Sequence, residues 1–263
     1  MANAATPRIN WTRSQTLAAL HVYLQLPFGQ LHHRNPKIKQ LAQWIARTPS
    51  SIALKLVNFA SLDPAVVASG RSGMANASNL DKVIWAELQP PWDGVALEAA
   101  AAYGRLASGH GVEADADLLK ELPVQEEGRT RSATVQVRVN QARFRAAVLT
   151  SYNATCCISG LQHHKLLIAS HIVPWSEDTH NRLNPQNGLC LSALHDRAYD
   201  QGLITVMPDY TVRVAPTLQA QTPDPFMAES LLRFDGQSIR LPERFAPAPA
   251  FLERHARRFG FLR

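Results

Sequence analysis

Between Met1 and Leu62 the chain carries no Asp or Glu at all, against seven basic residues: Arg8, Arg13, Arg34, Lys37, Lys39, Arg47 and Lys55. Such one-sided charge is the composition-level mark of contact with phosphate, and a solvated basic face is the plainer account of it. Cysteine is scarce, three residues in 263, an odd count that excludes a disulfide framework and fits a reducing compartment. A structural zinc built from Cys156 and Cys157 with His163 and His164 is not expected, because neighbouring side chains on a strand point to opposite faces. No apolar run reaches the roughly 18 residues that a membrane span needs. The start, MANAATPRINW, has no apolar signal region, so a cytoplasmic protein is expected. Also missing are the GxSxG elbow, the GxxxxGK[ST] phosphate loop, the HExxH zinc pair and any internal repeat. Those absences remove serine hydrolases, P-loop enzymes, zincins and solenoids.

What is present divides the chain. A hydrophobic content of 46% over 263 residues supports two packed cores, and the net charge of +6 suits a polyanionic partner. Helical punctuation is regular at the start. Thr12 with Gln15 forms a capping box ahead of Leu17, Leu20 and Tyr23, and Pro36–Arg47 has the stripe of a second helix. Thr48 caps a third helix with Pro49 at its first position. Residues 109–134 hold a run of acids, including Glu113, Asp115 and Asp117, and read as a linker. The GRSGMANAS stretch before Asn79 reads as a connector, and Asn140 as the cap of a helix that runs to Tyr152 with arginines outward. The expected organisation is a helical domain over 1–108, a linker over 109–134 and a second domain over 135–263. Its class is α+β.

Chemistry concentrates in Cys156–Thr205. Leu166–Ile172 is a buried strand by its apolar, β-branched content, and it delivers His171 at its end. The polar SEDTHNRLNPQN segment is a loop, and a short strand returns over Gly188–Leu191. Ser192 caps a two-turn helix, Ala193–Asp200, that stops at Gly202. Hairpin and short helix together bring His171, Asn187 and His195 near one another.

The motifs ASHIVPW, NPQNGLCL and LHDRAYDQG resemble those of the HNH nuclease family, close to the subgroup of bacterial restriction endonucleases. That resemblance implies a ββα fold closed around one divalent metal, Mg²⁺ or Mn²⁺. By position it makes His171 the general base, Asn187 the residue that pins the loop, His195 a metal ligand and Asp200 a second one. Where many members carry Asp or His before the base, this chain has Ser170. Phosphodiester hydrolysis independently calls for a base that works near neutral pH, which imidazole supplies, and for positive charge on the scissile phosphate. A second resemblance, over RTPSSIALKLVNFASLDP, is to the N-terminal domain of HNH restriction enzymes.

The first domain then reads as a helix-turn-helix or winged-helix-like module. Ser51, Lys55 and Asn58 on its third helix are candidates to meet DNA, and a plain core helix is the competing account of that segment. Arg143, ahead of the nuclease core, and Arg182, in the site loop, are further candidates for phosphate contact. The expected activity is that of a DNA endonuclease acting on double-stranded DNA, a restriction enzyme that cuts both strands as a homodimer. A DNA-binding regulator with a non-catalytic metal module, or a nonspecific nuclease, are the alternatives.

Overall fold

The computed structural model of the chain describes residues 10–70, 77–88, 92–120, 131–219 and 224–263. The connector expected over 71–76 and the second part of the linker, 121–130, lie outside the described residues.

Five successive helices start on a residue whose side chain accepts from their own free N–H groups. Thr12 caps α1 (Arg13–Gln25), Asn35 caps α2 (Pro36–Trp44) and Thr48 caps α3 (Pro49–Ala60). Asp63 then caps α4 (Pro64–Ala68), and Ser78 caps α5 (Asn79–Ala86). Each such cap contributes about 1 kcal/mol, and Pro at the first helical position reinforces three of them. The longer α6 (Trp92–Gly109) follows, then the single turn α7 (Ala116–Leu119). α1 is buried on every side from Thr16 to Tyr23, so the other helices must wrap it. It packs on α3 and α6 and also on α8 (Arg131–Ser151), the first helix of the second half.

α3 is a core helix, which corrects its expected role on DNA. Lys55 is buried at 4% exposure and its Nζ lies 2.5 Å from Asp81 Oδ1, while Asn58 donates to Asp81 Oδ2 at 3.3 Å. A carboxylate in α5 thus claims both side chains. Neither reaches solvent. Ser51 stays half-exposed, its N–H held by the Thr48 cap. Arg143 is likewise taken, paired with Asp115 at 2.8 Å.

That Asp115 belongs to the stretch expected to be a linker. Instead its carboxylate is buried between His21 at 3.0 Å and Arg143, so it ties α1 to α8. Burial alone would raise its pKa, but the bond from His21 and the Arg143 guanidinium hold it far below the carboxylate range. The halves also meet where Arg244, fully buried, donates to the Tyr23 carbonyl at 2.7 Å with its guanidinium over the Tyr23 ring. One hydrophobic core runs through both.

In the second half β1 (Leu167–His171) pairs antiparallel with β2 (Gly188–Ser192), setting His171 opposite Gly188. α9 (Ala193–Asp200) follows directly from the Ser192 cap. The β3 (Ile204–Val206) and β4 (Val212–Val214) hairpin comes next, then the short α10 (Pro216–Gln219) and α11 (Pro225–Ser230). The closing helix α12 (Pro249–Arg258) lies on β3. Its His255 stacks on Tyr199 of α9 with centroids 3.6 Å apart. The fold is mixed helix and small sheets. Cys156, Cys157 and Cys190 are free and buried, whereas His163 and His164 are exposed.

Candidate active site

His171 sits at the C-terminal end of β1 with its ring flat on Phe144 of α8, centroids 3.6 Å apart and planes 13° apart. Gly188 makes room for this. A Cβ there would come within 2.4 Å of Val148 and 2.9 Å of Phe144. Trp175 meets the imidazole edge-on from the following loop. The His171 Nε2 lies 2.9 Å from the Arg182 carbonyl oxygen, and a carbonyl can only accept, so Nε2 carries the proton. In the neutral ring Nδ1 is therefore a bare lone pair, and no hydrogen bond to the described residues occupies it. Burial disfavours the imidazolium and brings the pKa from 6.5 down to about 4. At neutral pH the group is a free base.

The loop that supplies the carbonyl is held at several points. Asn187 closes it: Oδ1 accepts from Val173 N at 2.8 Å, and Nδ2 donates to the carbonyls of Val173 and Asn181. Asp93 of α6 accepts from the N–H groups of Arg182 and Leu183 at 3.3 and 2.8 Å. The N-terminal half therefore helps to hold the loop whose Arg182 carbonyl meets His171. Arg182 donates through Nε to the Trp175 carbonyl and lays its guanidinium against the Trp175 ring.

His195, the expected metal ligand, is engaged by protein partners at both ring nitrogens. Its Nδ1 contacts Ser192 Oγ at 2.8 Å and Cys156 Sγ at 3.6 Å, and its Nε2 contacts the Ser230 carbonyl oxygen at 2.9 Å. The ring is buried at 3% exposure against Phe234. It ties β2, the 156–159 turn and α11 together. Burial would raise the Cys156 thiol, but bonds from His195 and Ser159 bring it down to about 6.

The carboxylate that faces the hairpin is the next residue, Asp196. It interacts with the hydroxyl of Ser170, the residue before the base; that hydroxyl is buried and has no hydrogen bond of good geometry. Burial raises the Asp196 pKa, Ser170 offsets part of that, and the negative charge of Asp200 raises it further. Partial burial raises the Asp200 pKa, and the positive charges of Arg197 and Arg258 offset part of that. Residues 196 and 200 are four apart, so one helix face carries both carboxylates. Two acids close enough to repel, beside an unsatisfied hydroxyl, form an oxygen donor set of the sort that Mg²⁺ and Mn²⁺ take. Among the described residues no cluster of three His, Cys, Asp or Glu stands ready for a metal, so water and phosphate oxygens must complete any such shell. The sequence held one signal for Asp196, its spacing from Asp200.

The hairpin thus ends in a neutral imidazole, and the helix that follows it carries two carboxylates. Residues 156–207 match the family model HNH_2, HNH endonuclease. The match covers both strands, the loop and α9, and supports a nuclease of the HNH family. No curated protein matches the chain, and no solved structure does. No helix among the described residues is long and apolar enough to cross a membrane.

Proposed function

We propose that the chain is a metal-dependent DNA endonuclease in which His171 is the general base. The observation that carries this is the His171 tautomer: Nε2 spent on the Arg182 carbonyl, Nδ1 bare, the ring neutral at physiological pH. Nδ1 takes the proton of the attacking water as it closes on phosphorus. Stacking on Phe144 keeps the lone pair aimed, and Asn187 keeps the loop from opening. Asp196 and Asp200 are the residues that would hold a divalent cation, with the Ser170 hydroxyl beside them. Such an ion supplies positive charge to the scissile phosphate and the leaving 3′ oxygen. Arg182 steadies the phosphate from the loop.

The finer reading is a restriction enzyme. One site of this kind cuts one strand, so a double-strand break takes two copies of the chain on opposite strands. With Lys55, Asn58 and Arg143 engaged internally, DNA contact by the N-terminal half falls to its exposed basic turn, His32, His33 and Arg34, with Lys39 on α2. Plasmid cleavage by His171→Ala in Mg²⁺ or Mn²⁺ tests the base, and a loss of about 10²- to 10⁴-fold is expected. Unchanged cleavage removes His171 from the mechanism.

A further inference from the structure

α12 carries two arginines on one side, Arg254 and Arg258, four residues apart. Its other side is committed, since Leu252, His255 and Ala256 are buried. The stacking of His255 on Tyr199, with its Nε2 3.3 Å from the Tyr199 carbonyl oxygen, pins the helix beside the last residue of α9, which is Asp200. Between α12 and the chain just past the base lies a cleft of about 300 Å³, walled by Ile172, Pro174, Glu177, Arg254 and Arg258. It opens one residue beyond His171.

Both arginines are paired across this cleft to the loop. Arg258 bonds Glu177, and Arg254 lies 3.5 Å from Asp178. The Arg258 and Glu177 side chains are 47% and 44% exposed, so water screens their attraction and the pair opens readily. Asp178 has other work, because it also accepts from His180 N and Asn181 Nδ2. Glu177 has no such second partner among the described residues. Arg257, by contrast, is tied to Glu253 of its own helix and turns away from the cleft.

We propose that Arg254 and Arg258 form a phosphate-binding subsite for the nucleic-acid backbone flanking the cut, and that Glu177 occupies it in the free protein as a stand-in for phosphate. The proposal rests on the nucleic-acid substrate read above. A phosphodiester entering the cleft replaces the Glu177 carboxylate with its own non-bridging oxygens, and the guanidinium forks suit either. The displaced Glu177 swings into solvent. Its competition lowers affinity for any backbone that does not fill the cleft, and Arg258, near Asp200, aligns the strand with the carboxylate face. The arginines are positioning residues for the substrate.

The test is binding of a fluorescein-labelled mixed-sequence duplex by the full chain in EDTA, read by anisotropy over a salt series, with circular dichroism to confirm folding. Arg254→Gln/Arg258→Gln is expected to weaken binding and to reduce the slope of log Kd against log salt by about 2, one for each lost phosphate contact. Glu177→Gln is expected to tighten binding several-fold, and to have no such effect once Arg258→Gln is present. An unchanged salt slope in the arginine variant, or weaker binding by Glu177→Gln, overturns the subsite. Because binding is read without cleavage, these shifts would support the subsite whether or not the chain cuts DNA, and a plasmid assay that finds no cutting would sink the nuclease reading alone. A wild type that binds normally, with variants indistinguishable from it, sinks only the subsite.

Discussion

At the scale of single residues, two adjacent side chains on α9 separate structure from chemistry. His195→Ala strips the Ser230 carbonyl and the Ser192 hydroxyl of a buried partner, each worth about 1–3 kcal/mol, so its main effect is on stability. Asp196→Ala removes a charge that repels Asp200, so the fold gains rather than loses in the absence of metal. Cleavage by Asp196→Ala should fall at least about a hundredfold, since a cation's charge on the transition state is worth several kcal/mol. A Mn²⁺ titration followed by thermal melting gives a second reading: the ion raises the wild-type Tm and leaves Asp196→Ala unmoved. Stabilisation of both proteins alike would return the ligand role to another residue. The pH profile follows from the environment of His171. As the proposed base, His171 would work unprotonated, and burial has lowered its pKa to about 4, so the single-turnover rate is expected to climb as pH rises through that value and to be level above it. An acid limb centred at the ordinary histidine value instead would mean a solvated ring. The same lowering makes folding stability complete above 6.5 and progressively lost towards 4, so Trp fluorescence must show the protein folded at each point.

At the scale of elements, the site depends on how closely α8 approaches the hairpin. Gly188 lies opposite His171 in register, and its missing Cβ is what lets Phe144 stack on the imidazole. Gly188→Ala should destabilise the protein by about 1–3 kcal/mol through overpacking, visible as a lower urea midpoint, and should cut activity by moving Phe144. Val148→Ala, which removes the atom 2.4 Å from that Cβ, should restore part of both; no rescue would mean that the strain is in the strand. Much of this layer was legible in the chain itself. The strand ending at His171, the Ser192 cap and the α9 bounds follow from local chemistry, as do the Thr12 and Thr48 caps, whereas the part of Asn187 in the loop comes only from the resemblance. What local chemistry does not carry is facing. A dense apolar helix such as α3 gives no sign that Lys55 and Asn58 turn inward until Asp81, in another helix, is placed beside them. His195 and Asp196 are neighbours, and only the packing of α9 on the hairpin decides which of them looks at Ser170.

At the scale of the molecule, the two halves expected from the sequence are joined by buried polar contacts as well as by a shared core. Deleting residues 1–108 would remove Asp93 and leave the Arg182 and Leu183 N–H groups without their acceptor, so the carbonyl that sets the His171 tautomer would lose its mooring. It would strip Arg244, a fully buried cation, of the Tyr23 carbonyl and ring. It would leave Asp115 without His21 and uncover the α8 face that packs on α1. Uncompensated buried charge alone costs about 3–5 kcal/mol, a large share of the roughly 5–15 kcal/mol that a whole domain has. The truncated chain should therefore fail to fold, and the intact chain should melt in one calorimetric transition whose van 't Hoff and measured enthalpies agree. Two resolved transitions, or a soluble 109–263 fragment that still cuts DNA, would show instead that each half stands alone. In that case the contacts through Asp93, Asp115 and Arg244 would be a docking interface between independent domains, and the tautomer of His171 would have to be held by the loop itself.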